Sequence, residues 1–168
     1  MAMVTVHGRT RCQFYQGRAD WKAIRRVKQA VSIPVVANGD AQTLSDAATM
    51  LEHSGADAAM IGRGHYGAPW LAGMIAAEAA GETRTDVPST PDEISSYVSE
   101  HYEDMLNFYG TLQGVRQARK HLGWYLDRHA AGGGALRKPI MTSTEPEIVL
   151  EALRTVFHDA PGAMRSAA

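Results

Sequence analysis

Val35-Val36-Ala37-Asn38-Gly39-Asp40 and Ala58-Ala59-Met60-Ile61-Gly62-Arg63-Gly64 each run from apolar residues straight into small, polar or charged ones. A short apolar run closed by turn formers reads as a buried strand, and groups at its carboxyl end are placed to meet a ligand. Val4-Thr5-Val6-His7-Gly8-Arg9-Thr10-Arg11 has the same form upstream. The gaps between the three hold one helix and two turns each, as repeated βα units require. The expected fold is therefore α/β, with three parallel strands that all end in ligand-binding chemistry.

Helix signals fall in those gaps. Asp20 is an N-cap for a helix with Trp21, Ile24, Val27 and Val31 on one face and Lys22, Arg25, Arg26 and Lys28 on the rest, stopped by Ser32-Ile33-Pro34. Thr43 with Asp46 caps the next, which turns Ala47, Met50 and Leu51 inward and ends at Ser54-Gly55. Pro69 suits the first turn of a third, carrying Trp70, Leu71, Met74 and Ile75. Residues 81–91 are polar, proline-bearing and aperiodic, a linker that separates residues 1–80 from a helical domain over 92–160. There Thr90-Pro91-Asp92-Glu93 opens a helix with Ile94, Tyr97, Val98, His101, Met105 and Phe108 inward. A second runs from about Leu112 to His129 and meets the Gly132-Gly133-Gly134 break. A third, capped by Thr144 with Glu147, presents Ile148, Val149, Leu153, Val156 and Phe157, which gives a small three-helix bundle before a disordered tail over 161–168.

Composition is that of an ordinary soluble chain: 168 residues, 45% hydrophobic, with no apolar run long enough to span a bilayer. No charged-then-apolar signal segment opens it, and Cys12 has no partner for a disulfide, so a reducing cytoplasmic setting is expected. The net charge of −1 conceals a segregation. Residues 1–37 carry seven Arg and Lys against one acid, 38–109 carry two against twelve, and 110–140 carry six against one. Two basic blocks in a near-neutral chain can steer a polyanion locally. Three parallel strands need neighbours at each edge and cover on both faces, so the chain reads as the C-terminal part of a larger barrel or sheet protein, or as one completed by association.

Phosphate in a (β/α)8 barrel sits at the loops after the last two strands, held by backbone N–H groups, small residues and a cation. Asn38-Gly39-Asp40 and Gly62-Arg63-Gly64 have that composition at successive strand ends. His7 and Arg9 lie just past the first strand, where they can meet a polar or anionic ligand. Nothing near Cys12 supplies a base, so it reads as inert, and no residue set is assigned to a metal. Arg116, Arg119 and Lys120 share one helical face, followed by His121, Trp124 and Tyr125 and then by Arg137-Lys138. Cations interleaved with aromatics suit a nucleic-acid backbone with an occasional stacked base, although Trp124 and Tyr125 also suit packing.

Taken together, Val6-His7-Gly8-Arg9-Thr10-Arg11, Asn38-Gly39-Asp40, Gly62-Arg63-Gly64 with Gly67 and Pro69-Trp70, and Arg119-Lys120-His121-Leu122-Gly123-Trp124-Tyr125 resemble the C-terminal half of a bacterial tRNA-dihydrouridine synthase. The resemblance runs from residue 3 to about residue 158. It implies the sixth to eighth strands of an FMN-binding TIM barrel, followed by a helical tRNA-binding domain. It also implies reduction of uridine to 5,6-dihydrouridine in the tRNA D-loop with electrons from NADPH. FMN would be met by His7, Asn38, Gly39, Asp40, Gly62 and Arg63, the last two at its phosphate. Arg9, Arg11, Arg116, Arg119, Lys120 and Lys138 would face the RNA. The catalytic cysteine of the family belongs to the barrel's first half, and its role is not transferred to Cys12. These 168 residues alone are accordingly expected to show weak reductase activity or none. Two other readings stay open on the residues: a flavin- or phosphate-binding barrel oxidoreductase acting on a small molecule, and a non-catalytic RNA-binding fragment.

Overall fold

In the computed structural model, which describes residues 2–14 and 16–158, Val4–His7 (β1), Val35–Asn38 (β2) and Ala58–Met60 (β3) form one parallel sheet in the order β1-β2-β3. The register pairs Val4 with Val35, Val6 with Ala37 and Ala37 with Ala59, so these five side chains share a face. Trp21–Ala30 (α1), Leu44–Ser54 (α2) and Leu71–Ala79 (α3) follow the strands in turn. The core behind the sheet is built on fully buried Ile24, Val35, Ala37 and Met50, with Val4, Val6, Trp21 and Leu71 packed against it. On the opposite face Thr5, His7, Ala58 and Met60 are exposed. The chain divides into two compact units, Met1–Thr85 and Asp86–Ala168.

Local chemistry sets the element ends. Asp20 accepts from the Ala23 N–H at 3.0 Å and starts α1. Thr43 and Asp46 cap α2 reciprocally, and Gly55 closes it. Helix α3 begins at Leu71, two residues beyond Pro69, with Trp70 as its cap.

The second unit contains Pro91–Tyr109 (α4), Thr111–His129 (α5), Arg137–Thr142 (α6) and Pro146–Val156 (α7). Where a glycine break alone is expected, the chain makes an irregular 3-10 segment, Ala131–Leu136, and then the extra short helix α6. Pro139 is tolerated there because it stands in the first turn. The cap of α7 is Glu145 with Pro146 following, not Thr144, since proline fixes the backbone for the first helical position. Val98, Tyr102, Leu122, Leu126, Ile140, Val149 and Leu153 fill the core. Phe108, expected inward, is 81% exposed near the end of α4. The tail expected over 161–168 lies outside the described residues.

The Thr90 hydroxyl accepts the Glu93 N–H, and the Glu93 carboxylate accepts the Ser89 and Thr90 N–H groups at 2.8 and 2.9 Å. Those two N–H groups, followed by the Ser89 and Thr90 hydroxyls, pull the Glu93 carboxyl down to about 2. A depressed carboxyl contributes its stability above its ordinary value of 4.5 and loses it as pH falls through the folded value. The first turn of α4 is expected to fray between about pH 4.5 and about pH 2, seen as loss of helical Cα shifts at Asp92–Ser95. Glu93→Gln should remove that pH step; an unchanged step in the variant would assign it to another group.

Candidate functional site

The carboxyl ends of the three strands open on one cavity of about 550 Å³, lined by His7, Asn38, Gly39, Asp40, Gly62 and Arg63 together with Ala41, Gln42, Gly64 and Tyr66. That size lies within the range of small-molecule sites. His7 and Asn38 are register partners, as are Asn38 and Met60, so they form a row across the end of the sheet. The Asn38 Nδ2 donates to the Met60 carbonyl at 2.9 Å, which fixes its amide between β2 and β3. Arg63 opens a 3-10 turn, Arg63–His65, and its side chain is 46% exposed at the cavity.

Asp40 organises this end of the sheet. One carboxylate oxygen, Oδ2, accepts from Arg9 Nη2 at 2.6 Å and from the Ala19 N–H at 2.8 Å, while Oδ1 faces Arg63 Nη2 at 3.5 Å. Burial works against the charge, but the bonds from Arg9 and Ala19 and the charges of Arg9 and Arg63 outweigh it and hold the carboxyl below its ordinary value. Asp40 adopts a left-handed backbone, φ 62°, and follows Gly39 at φ 133°. The Gly39 carbonyl accepts the Trp21 indole N–H at 2.8 Å, so the β2 turn is pinned to the start of α1.

Arg9 stands differently from its expected place towards RNA. Its side chain is only 4% exposed and is folded into the loop between β1 and α1, where it donates to the carbonyls of Gln16 and Gly17 as well as to Asp40. Arg11 is exposed at the start of the 3-10 turn Arg11–Gln13, and Cys12 is exposed within it. Ala41, Gln42 and Tyr66 were not singled out from the sequence, whereas Gly64 was, as part of Gly62-Arg63-Gly64. Only the convergence of the strand ends brings them to the cavity.

In the second unit, Arg116, Lys120 and Lys138 are exposed. Arg119 is half-buried, tied to the Thr142 carbonyl at 3.3 Å, with its Nε buried and unpartnered. Lys120 Nζ lies 5.9 Å from the centre of the half-buried Trp124 ring, a cation–π contact on the helix surface. Tyr125 is 2% exposed, and its hydroxyl meets His101 Nδ1 at 2.9 Å, which answers the packing question for that ring. Burial lowers the pKa of both His101 and His121; nearby Asp104 partly opposes this at His101, whereas His101 and Lys120 add to it at His121. Burial thus disfavours the charged form of both imidazoles.

Fold and site define an α/β protein with a cavity at the carboxyl ends of parallel strands. The family model "Dihydrouridine synthase (Dus)" matches residues 1–160, and the chain belongs to that family. It is 51% identical over 152 residues to a probable tRNA-dihydrouridine synthase of Rhizobium leguminosarum bv. phaseoli, covering 90% of this chain and 45% of the relative. A probable tRNA-dihydrouridine synthase of Rhodobacter capsulatus is 48% identical over 161 residues, covering 96% and 48% respectively. The tRNA-dihydrouridine synthase B of Pectobacterium carotovorum is 40% identical over 157 residues, covering 93% and 48%. The chain spans about half the length of these curated relatives. Among the described residues, no helix is long and apolar enough to cross a membrane.

Proposed function

We propose that this chain provides the phosphate end of the flavin site and the RNA-binding helices of an FMN-dependent tRNA-dihydrouridine synthase, with β1 to β3 as the sixth to eighth strands of a TIM barrel. The observation that carries the reading is the convergence of His7, Asn38, Gly39, Asp40, Gly62 and Arg63 on one cavity at the strand ends. The residues suit a phosphate: an exposed guanidinium stands at the cavity, and glycine permits close approach of a ligand to the backbone. Bound there, FMN would supply the hydride chemistry that reduces the uracil C5–C6 bond, with NADPH as the source of electrons.

This chain's own residues bind and orient. Arg63 and the Gly62 backbone neutralise and seat the phosphate. His7 and Asn38 project from the exposed face of the sheet, where a flavin ring and an extruded uridine of the D-loop would meet. Arg116, Lys120 and Lys138, with Arg11 in the first unit, contact tRNA phosphates, and Arg119 stays as a partly buried tether at that surface. Cys12 is given no part in proton transfer, so the 168 residues alone form little or no dihydrouridine. Measurable NADPH-dependent product from the pure chain would overturn that last point. The setting is the cytoplasm, where unmodified tRNA is found.

The reading is tested by titrating the purified chain with unmodified tRNA at low and moderate salt while recording flavin absorbance. Three to four phosphate contacts predict that log K falls with log salt at a slope of about −3. Salt-sensitive binding with flavin present supports the whole reading. Salt-sensitive binding by a chain that takes up no added FMN would leave a non-catalytic RNA-binding fragment, and flavin uptake without RNA affinity would favour a small-molecule oxidoreductase.

A further inference from the structure

The basic block over residues 1–37 is spent in two different ways. Arg9 bonds to Asp40 and to two loop carbonyls, Arg25 to the carbonyls of Glu52 and His53, and Lys28 to Asp57. Arg18 and Lys22 are exposed instead, and among the described residues their side chains make no hydrogen bond and no ion pair. They meet at a second cavity of about 400 Å³, which Asp20, Trp21, Asp40 and Asp46 also line. Asp40 lines the first cavity as well, so the two adjoin at the strand ends. The acids here already have donors of their own. Asp20 accepts the Ala23 N–H, Asp40 accepts from Arg9 and the Ala19 N–H, and Asp46 accepts the Gln42 and Thr43 N–H groups at 3.0 Å. The Gln42 N–H does most, against burial, to hold the Asp46 carboxyl below its ordinary value, Thr43 follows, and the charge of Arg18 adds least. Arg18 and Lys22 therefore give this rim positive charge that no bonded carboxylate offsets.

We propose that Arg18 and Lys22 hold backbone phosphates of the bound RNA at this second cavity, beside the one that would receive the target base. Cations with no acid partner break no ion pair on meeting a phosphodiester, and each phosphate they neutralise releases counter-ions. A small free anion would need donors that enclose it, which two exposed side chains do not supply. A polyanion held at many points has no such need. The inference rests on the tRNA reading for its ligand and deepens it: the first unit grips the strand that carries the target base as well as offering the base a cavity.

The test compares the full chain with Arg18→Gln, Lys22→Gln, the double change and, as a control for lost charge, Arg154→Gln on the exposed side of α7. Affinity for unmodified tRNA is measured against salt. At roughly 0.7–0.9 per phosphate, Arg18 and Lys22 should steepen the slope from about −3 to about −4.5. The double change should return it to about −3, each single change should fall midway, and Arg154→Gln should leave it within a few tenths of the unaltered chain. Bound tRNA should also shield Lys22 from acetylation, mapped by peptide mass. A separate titration with inorganic pyrophosphate and no RNA follows the Lys22 amide and Trp21 indole resonances, whose shifts should vanish in the double variant. Salt-sensitive tRNA binding with the same slope in the double variant, or an equal drop in Arg154→Gln, overturns the proposal and leaves the tRNA reading standing. Pyrophosphate shifts in a chain without tRNA affinity would overturn RNA as the occupant and the tRNA reading with it, and a response to neither anion would overturn both.

Discussion

Replacing Gly39 by alanine is expected to destabilise the first unit by about 3 kcal/mol and to abolish flavin binding. Two penalties coincide at this residue. Its φ of 133° is a conformation that L side chains rarely adopt. An added Cβ would lie 2.6 Å from the Cβ of Ala19 and 3.4 Å from the His7 ring. Ala19 cannot retreat easily, because its N–H is held by Asp40 and the next residue caps α1. Nor can the turn rotate without breaking the bond from Trp21 to the Gly39 carbonyl. Hydrogen exchange by peptide is the measurement: protection in β2 and α1 should fall by about two orders of magnitude, at 1.4 kcal/mol per tenfold. Protection within a few-fold of the unaltered chain would mean that the loop adapts, and that the pinning described above is weak.

The second large effect is expected at Gly114, and its sign is opposite to what helix propensity suggests. Glycine inside a helix costs about 1 kcal/mol relative to alanine, so Gly114→Ala in α5 would ordinarily stabilise. Here the new Cβ would lie 2.8 Å from both the Met105 carbonyl oxygen and the Leu106 Cα, backbone atoms of α4. Backbone cannot swing aside as a side chain can, so α4 and α5 must separate, on helices whose Val98, Tyr102 and Val115 are buried. Overpacking of this kind costs about 1–3 kcal/mol and reaches the upper end when backbone must shift. The net change is expected to be a loss of about 2 kcal/mol, seen as a lower urea midpoint by helical circular dichroism. A raised midpoint would show that the two helices part cheaply.

What could be read from the sequence was what is decided within a few residues. Asp20, Thr43 with Asp46, and Thr90 with Glu93 cap their helices as expected because each cap bonds to an N–H three residues on. The strand ends were legible for the same reason, since their apolar runs stop at glycine. The partner of Arg9 was not: Asp40 is 31 residues away, and only the β1–β2 register brings the two together. Helix α6 was hidden behind three glycines and carries a proline, so its six residues hold too little periodicity to read. Phe108 follows the inward spacing of α4 but lies close to the helix end and is exposed there. Gly114 looks like a weak point in a helix until the backbone of α4 is placed against it.

The central claim is that the strand ends of this chain hold a flavin by its phosphate. Side-by-side fluorescence titrations of the purified chain with FMN and with riboflavin, which differ only in that phosphate, test it most directly. FMN should bind at least about tenfold more tightly than riboflavin, as one or more charge-assisted contacts to Arg63 require, and Arg63→Ala should erase the difference. Equal affinity for the two flavins, or binding of neither, would contradict the account.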